Sequence, residues 1–338
     1  MPRLTQGIDR RQWDELLRHS STANPFQDPC FFHFLKKQKD VDCFCLGVEE
    51  GGKLKGVTVA MIQHEGGPLR RFFTRRAIIN GGPLLANDIT SEALTLLLTG
   101  CAELLRRRAI YIEFRNFHDY TNHRHSFIQS GFQYIPHYDF RLSIDGNVTD
   151  RYHKRCLTRI RASRRTGLRI VDHPSTKQVY SFYRLLLHLY ATKTRTPLFH
   201  WEFFESALHC PLLHYLVAVD RDDTVVGGIL LCNLDGRASY AWFEASDTTR
   251  KKMKISVALY DAAIRRCQEQ GAVLFDFMGA GSPDDGGYGV RDFKAQFGGD
   301  LVENGRYRRI LHPVRYRLGA AAVKIIKNNI GSINHTKK

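Results

Sequence analysis

The sequence predicts a mixed α/β fold made of two similar units in tandem. Two observations carry that expectation. Apolar residues switch along the chain between helical spacing and strand-like runs. One order of elements (helix, hairpin, strand, long helix, buried strand) then occurs twice, without obvious residue identity between the copies. The 338 residues and 43% apolar content are enough for two medium domains.

In the first half, Asp9–Arg18 reads as a short helix with Asp9 as its N-cap. Phe31–Lys37, aromatic and basic, reads as a second helix. Cys43–Glu49 and Leu54–Gln63 flank Glu50-Gly51-Gly52, a hairpin signal. Ala77–Ile79 starts a strand that breaks at Gly81-Gly82-Pro83. Over Ser91–Arg107, Ala93, Leu94, Leu97, Leu98, Cys101, Leu104 and Leu105 share one helix face. Ile110–Phe114 is a buried strand, His125–Gln129 a helix ending near Gly131, and Tyr134–Ile144 one or two closing strands.

The second half repeats the order. Val179–Thr192 and Trp201–Leu208 are helices. Leu216–Asp220 and Val225–Asn233 flank Arg221-Asp222-Asp223, another hairpin signal, and Ala238–Glu244 follows as a strand. Ile255–Gln270 is a helix stopped by Gly271, and Val273–Met278 a strand. Gly305–Ile310 and Arg315–Lys327 are a last strand and helix. The expected boundaries are 1–147, 148–312 and 313–338, the last a helix and tail packing back on the first unit.

Lys and Arg total 50 against 34 Asp and Glu, a formal net charge of +16. That excess favours anionic partners: phosphate-bearing ligands such as a small molecule, RNA, or the face of an anionic membrane. The eight cysteines form no CxxC pair, so a disulfide framework is not expected. The N-terminus is polar, and no apolar run reaches the roughly 18 residues of a membrane helix. The expected location is cytoplasmic, or at the inner face of the membrane.

The stretch with most chemical content runs from Leu274-Phe275-Asp276-Phe277-Met278-Gly279, through a Gly- and Asp-rich loop, to Val290-Arg291-Asp292-Phe293-Lys294-Ala295-Gln296-Phe297-Gly298-Gly299. It sets Lys294 between Phe293 and Phe297, where a cation can anchor a phosphate or steady an oxyanion. Asp150–Asp172 holds eight basic residues, with no acid from Arg151 to Val171. Arginine forks match phosphate oxygens, although charge runs are also how solvated helix faces look. Tyr240, Trp242 and Glu244 alternate along a strand and are expected to share a face, lining an acceptor cleft or packing as ordinary strand residues. His118, His123 and His125 with Asp119 read as an ordinary loop; no metal site is expected. No Gly-x-Ser-x-Gly elbow or P-loop is present, which sets aside serine hydrolase and NTPase chemistry.

The order Phe-Asp-Phe strand, loop, Phe293-Lys294 and Phe-Gly-Gly resembles the Fem family of peptidyltransferases and related acyltransferases of the GNAT superfamily. Arg159-Ile160-Arg161-Ala162-Ser163-Arg164-Arg165-Thr166-Gly167 is similar to the Arg-rich opening of that family's second unit, and Asn24-Pro25-Phe26-Gln27 to an early segment. The resemblance implies two tandem GNAT-like units, each a mixed sheet flanked by helices, with the second carrying the active site. It implies acyl or aminoacyl transfer to an amine of a cell-envelope precursor, as in peptidoglycan bridge formation, with aminoacyl-tRNA or acyl-CoA as donor. Lys294 would be catalytic. Arg195 would hold an acceptor phosphate, and Tyr240, Trp242, Phe293, Arg155, Arg159 and Arg165 would bind substrate. No general base stands out; Asp276 and Glu244 are the nearest carboxylates. The glycine-rich cradle of acetyl-CoA users is missing, because Arg250-Lys251-Lys252-Met253-Lys254-Ile255 occupies its place. Two rivals stay open: an acyl-CoA-dependent N-acyltransferase for sugar or polysaccharide precursors, and a non-catalytic RNA-binding protein.

Overall fold

Asp9 caps the first helix as its position suggests. Its carboxylate accepts from the Gln12 amide at 3.0 Å and opens α1, Arg10–His19. The computed structural model describes residues 1–64, 75–194, 196–284 and 289–319. In chain order, β1 (Arg3–Thr5) and α1 are followed by α2 (Pro29–Lys36), β2 (Val41–Glu50) and β3 (Lys53–Gln63). Gly51 and Gly52, at φ 60° and 76°, form the tight hairpin between β2 and β3. Next come β4 (Arg76–Gly81), β5 (Leu84–Leu85), α3 (Ser91–Leu105), β6 (Tyr111–Asn116), α4 (Arg124–Gln129) and β7 (Gln133–Ile135). Ala93, Leu94, Leu97, Leu98, Cys101 and Leu105 on α3 are buried against Val48, Ala60, Ile62, Ile79 and Ile112 of the sheet. The helical spacing read in the sequence is the face that meets this core.

The second half runs through β8 (Tyr138–Ser143), α5 (Lys154–Arg164), β9 (Arg169–Asp172), α6 (Thr176–Leu189), α7 (Trp201–Ala207), β10 (Leu213–Val219), β11 (Val225–Leu234) and β12 (Ala238–Ser246). It continues with α8 (Ile255–Glu269), β13 (Leu274–Asp276), α9 (Gly289–Ala295), β14 (Asp300–Glu303) and β15 (Arg306–Ile310). Two neighbouring glycines on β11 let a helix approach each face. A Cβ on Gly227 would sit 2.6 Å from Ile255 of α8, and one on Gly228 2.6 Å from Phe182 of α6. Ser175 and Gln178 start α6 with a capping box.

Two sheets result, with orders β1-β2-β3-β4-β6-β15-β7, where β5 also pairs β3, and β14-β8-β13-β12-β11-β10-β9. Each has one parallel pair, β4/β6 and β12/β13. The chain divides into two compact units: 1–23, 39–135 and 306–338 form the first, 24–38 and 136–305 the second. The division therefore does not follow the sequential boundaries at 147 and 312. The stretch Tyr134–Ile144, expected as closing strands of one unit, splits at Pro136: β7 joins the first sheet and β8 the second. The chain also returns at its far end, through β15, to complete the first sheet.

Candidate active site

The parallel strands of the two units end differently. In the first unit, β4 and β6 stay paired over their whole length, from Arg76↔Tyr111 to Gly81↔Asn116. The buried Tyr120 ring then fills the space beside Gly82, and its hydroxyl donates to the carbonyls of Gly81 and Pro83 at 3.2 and 2.7 Å. In the second unit, β12 and β13 are paired only from Ala238↔Leu274 to Tyr240↔Asp276. Beyond that point Ala241–Ser246 of β12 has no β13 partner, because the other chain turns away along β8: the Phe277 amide donates to Phe140 and the Ala280 amide to Tyr138. A strand edge exposed at the end of a parallel pair offers unpaired backbone groups to a ligand.

Side chains hold this turn in place. Met278 adopts a left-handed conformation, φ 53°, unusual for a side chain of its size. The Asp276 carboxylate accepts from the Met278 amide at 2.7 Å and from Arg141 Nε at 3.1 Å. Lys294, on the last turn of α9, is 6% exposed. Its ammonium donates to the carbonyls of Phe277 and Gly279, both at 2.8 Å, and to that of Met278. All three donors of the ammonium are thereby directed at backbone. Burial lowers the Lys294 pKa to about 8, while Asp276, Asp139 and Glu244 pull it back up. Burial lifts the Asp276 carboxyl above its usual range, with Arg141 opposing. From the same helix, Arg291 Nε donates to the Ala280 carbonyl at 2.6 Å and its guanidinium to that of Ser282.

Glu244 lies on the part of β12 that pairs with β11 but has no β13 partner. The expected alternation of Tyr240, Trp242 and Glu244 on one face does not hold. A bulge opposite Leu230/Leu231 places one extra residue, Trp242, between the pairs Leu231↔Ala241 and Leu230↔Phe243. Trp242 and Phe243 therefore both pack toward Phe199, at 6.2 Å between ring centres in each case. Glu244 is turned to the face of α8, where Ser256 and Tyr260 lie. Burial raises its pKa to about 7, with the Ser256 hydroxyl and the Lys294 charge opposing. Its Oε1 is out of contact with solvent and has no hydrogen-bond partner among the described residues. A carboxyl with this pKa can exchange a proton near neutrality. The one-residue offset that puts it there depends on pairing with β11 and is invisible in the sequence of β12.

The other residues singled out by sequence fall in several places. Tyr240 is fully buried, its ring 5.9 Å from Phe26, and burial pushes its phenol well above the usual range. Phe293 packs on Tyr260 and Phe297, at 5.5 and 5.7 Å between ring centres. The Phe-Gly-Gly after Lys294 is a backbone-packing device: a Cβ on Gly298 (φ 77°) would overlap the Arg151 carbonyl, and one on Gly299 would sit 2.7 Å from the Arg141 carbonyl oxygen. Arg159 is half-buried and donates to Gln296 at 3.0 Å. Arg155 and Arg165 are exposed and pair with no carboxylate among the described residues. Arg195 lies outside the described residues.

The basic surface of this unit has two neighbouring parts. α5 packs along α8 and also reaches the turn Lys251–Met253 that precedes it. Lys154, Arg155, Arg161 and Arg165 on or beside α5, and Lys251 and Lys252 on that turn, are exposed. Arg250 is tied down by Asp220 at 2.5 Å and Asp247 at 3.3 Å. Lys254, at φ 52°, leads into α8 with no side-chain cap among the described residues. For a metal, Asp172, His173 and His214 bring ligand atoms together elsewhere in this unit. Arg266 already holds Asp172 at 2.8 Å, which disfavours a second cation there. His118, in the histidine-rich loop of the first unit, meets the Ala23 carbonyl oxygen at 3.2 Å.

Residues 150–295 match the family described as acetyltransferase (GNAT) domain. Among solved structures, FemX is 14% identical, with a TM-score of 0.70 over 94% of this chain and 99% of its own. A tandem GNAT protein from the clavulanic acid biosynthesis pathway is 11% identical, with a TM-score of 0.60 over 92% and 99% of the two chains. The C-terminal domain of a putative lysylphosphatidylglycerol synthetase from Agrobacterium fabrum is 14% identical, with a TM-score of 0.57 over 94% and 97%. No curated protein sequence matches the chain. The fold is thus that of tandem GNAT proteins, and the second unit holds a GNAT acyltransferase domain.

Proposed function

We propose that the second unit forms an amide by transferring an aminoacyl group from a polyanionic donor to an amine of a cell-envelope precursor. The observation that carries this reading is the parted end of β12 and β13 with the Glu244 carboxyl beside it. The acceptor amine attacks the donor's ester carbonyl, the C–N bond forms and the ester C–O bond breaks. Glu244 takes the proton released by the amine, and the leaving hydroxyl is protonated in turn. An unpaired amide of β12 steadies the oxyanion. Lys294 acts as a positioning residue: with its donors on three carbonyls, it holds the turn that keeps the strands apart.

The donor class rests on charge. The turn before α8 has lysines where a CoA-binding helix start has glycines, and α5 adds further cations beside it. Such a surface fits an extended phosphate backbone, as in aminoacyl-tRNA. Among the structural neighbours, the name lysylphosphatidylglycerol synthetase joins an aminoacyl group to a phosphate-bearing lipid. Carried to this chain, it supports an aminoacyl donor and a lipid-linked acceptor. No described helix is long and apolar enough to cross a membrane.

The match to an acetyltransferase family favours one second reading, transfer from acyl-CoA to an amino sugar. Transfer assays with charged tRNA and with acetyl-CoA, beside an amine acceptor, separate the two. Amide formation from charged tRNA alone is expected. Turnover of acetyl-CoA with indifference to tRNA would overturn the aminoacyl reading in favour of the second.

A further inference from the structure

The first unit carries a second arginine-rich feature, at the end where its parallel strands begin. An open cavity of about 810 Å³ is lined by Arg75, Arg106, Arg107, Arg108 and His312, with Asp42, Glu103 and Leu104. Arg75 directly precedes β4, Arg106–Arg108 form the turn after α3, and His312 follows β15. Four arginines thus face two carboxylates, and both carboxylates have partners: Asp42 with His64 at 3.0 Å, Glu103 with Arg106 at 3.6 Å. Arg75 and Arg107 have no carboxylate partner among the described residues.

The rim is built on fixed backbone. Ile110 donates to the Arg75 carbonyl at 2.7 Å, and Arg108 and Ala109 donate to Leu105 at 2.9 and 3.0 Å. His312 Nε2 meets the Arg106 carbonyl oxygen at 2.6 Å, and the Arg108 guanidinium lies 4.6 Å over the Phe44 ring. The backbone under the guanidinium forks is thereby fixed, and planar forks match the oxygens of an oxyanion.

We propose that this cavity is a phosphate-binding site, separate from the transfer chemistry of the second unit, that takes the phosphate of a mono- or diester. Arg75 and Arg107 supply the uncompensated charge, and Arg106 and Arg108 complete the ring. The volume exceeds what a lone phosphate fills, leaving room for the group it is esterified to. The ester comes either from a water-borne phosphate compound or from a phospholipid headgroup.

Arginine labelling with phenylglyoxal on the full chain, read residue by residue by mass spectrometry, tests this. The probes are inorganic pyrophosphate and, in a separate arm, phosphatidylglycerol vesicles with vesicles of a phosphate-free galactolipid as control. At least one phosphate probe should slow labelling of Arg75 and Arg107 at least fivefold. Arg11 and Arg18, exposed on α1 outside the cavity, should change less than twofold. Protection by pyrophosphate assigns a water-borne ligand, and protection by phosphatidylglycerol vesicles alone assigns the headgroup. Pyrophosphate or vesicles should also raise the melting temperature of the wild type, but not of the Arg75→Ala/Arg107→Ala double variant. Unchanged labelling in both arms, or equal protection of Arg11 and Arg18, overturns the proposal.

Discussion

Replacing Glu244 by Gln keeps the side chain's shape and removes its ability to take a proton. On the proposed mechanism, kcat/KM of wild type rises with pH as this carboxyl ionises near its value of about 7. In Glu244→Gln that rising limb disappears, and the rate falls roughly 10²- to 10⁴-fold, the usual range for a general base. A pH–rate profile of both proteins is the check; an unchanged limb in the variant would remove Glu244 from the mechanism. Lys294 offered the opposite lesson in legibility. Its place beside a strand end could be read from the order of residues, but the destination of its ammonium could not. Only the fold shows that three carbonyls of one turn converge on it. Glu244 was obscured because a register offset, set by the neighbouring strand, decides which face it occupies.

Among the elements, the link from α9 to β14 depends on two glycines that have no room for a side chain. Gly298→Ala combines a left-handed φ with overlap on the Arg151 carbonyl and should cost about 3 kcal/mol. Gly279→Ala, whose Cβ would lie no nearer than 3.7 Å to His137, should cost less than about 1 kcal/mol. Urea unfolding of the two variants compares them directly; equal midpoints would refute the packing argument. The long helices and central strands were legible because their apolar period is long enough to count. Four short strands, β1, β5, β9 and β14, were missed: none is longer than four residues, too short for an alternation to show, and β1, β9 and β14 lie at sheet edges. The split at Pro136 was hidden for another reason, since two strands three residues apart look like one ribbon until their partners are known.

For the molecule as a whole, the excess of basic residues is met in part by buried acids. Glu113 is 2% exposed and accepts from Arg115 and Arg306 at 3.0 and 3.2 Å, and from Arg308. Burial opposes its charge, yet the three arginines together hold its pKa down to about 2 from 4.5. A depressed carboxyl stabilises the fold above its unfolded value and loses that contribution as pH falls through the folded one. The first unit should therefore lose about 3 kcal/mol between roughly pH 4.5 and pH 2 from this group. Thermal melts across that range check the expectation: Glu113→Gln should be the less stable protein at pH 7, and the gap should close by pH 2. A constant gap would mean that the arginines do not act through the carboxylate charge.

The placement of β15 imposes an order on biosynthesis. It lies between β6 and β7, inside the first sheet rather than at its edge. While the ribosome is making the second unit, β6 and β7 have both been translated and neither has the neighbour that β15 provides. The first unit cannot close until residue 310 has emerged, after every strand of the second has been made. The part translated first is thus among the last to be finished. During that interval its two open strand edges are the places a chaperone would have to guard.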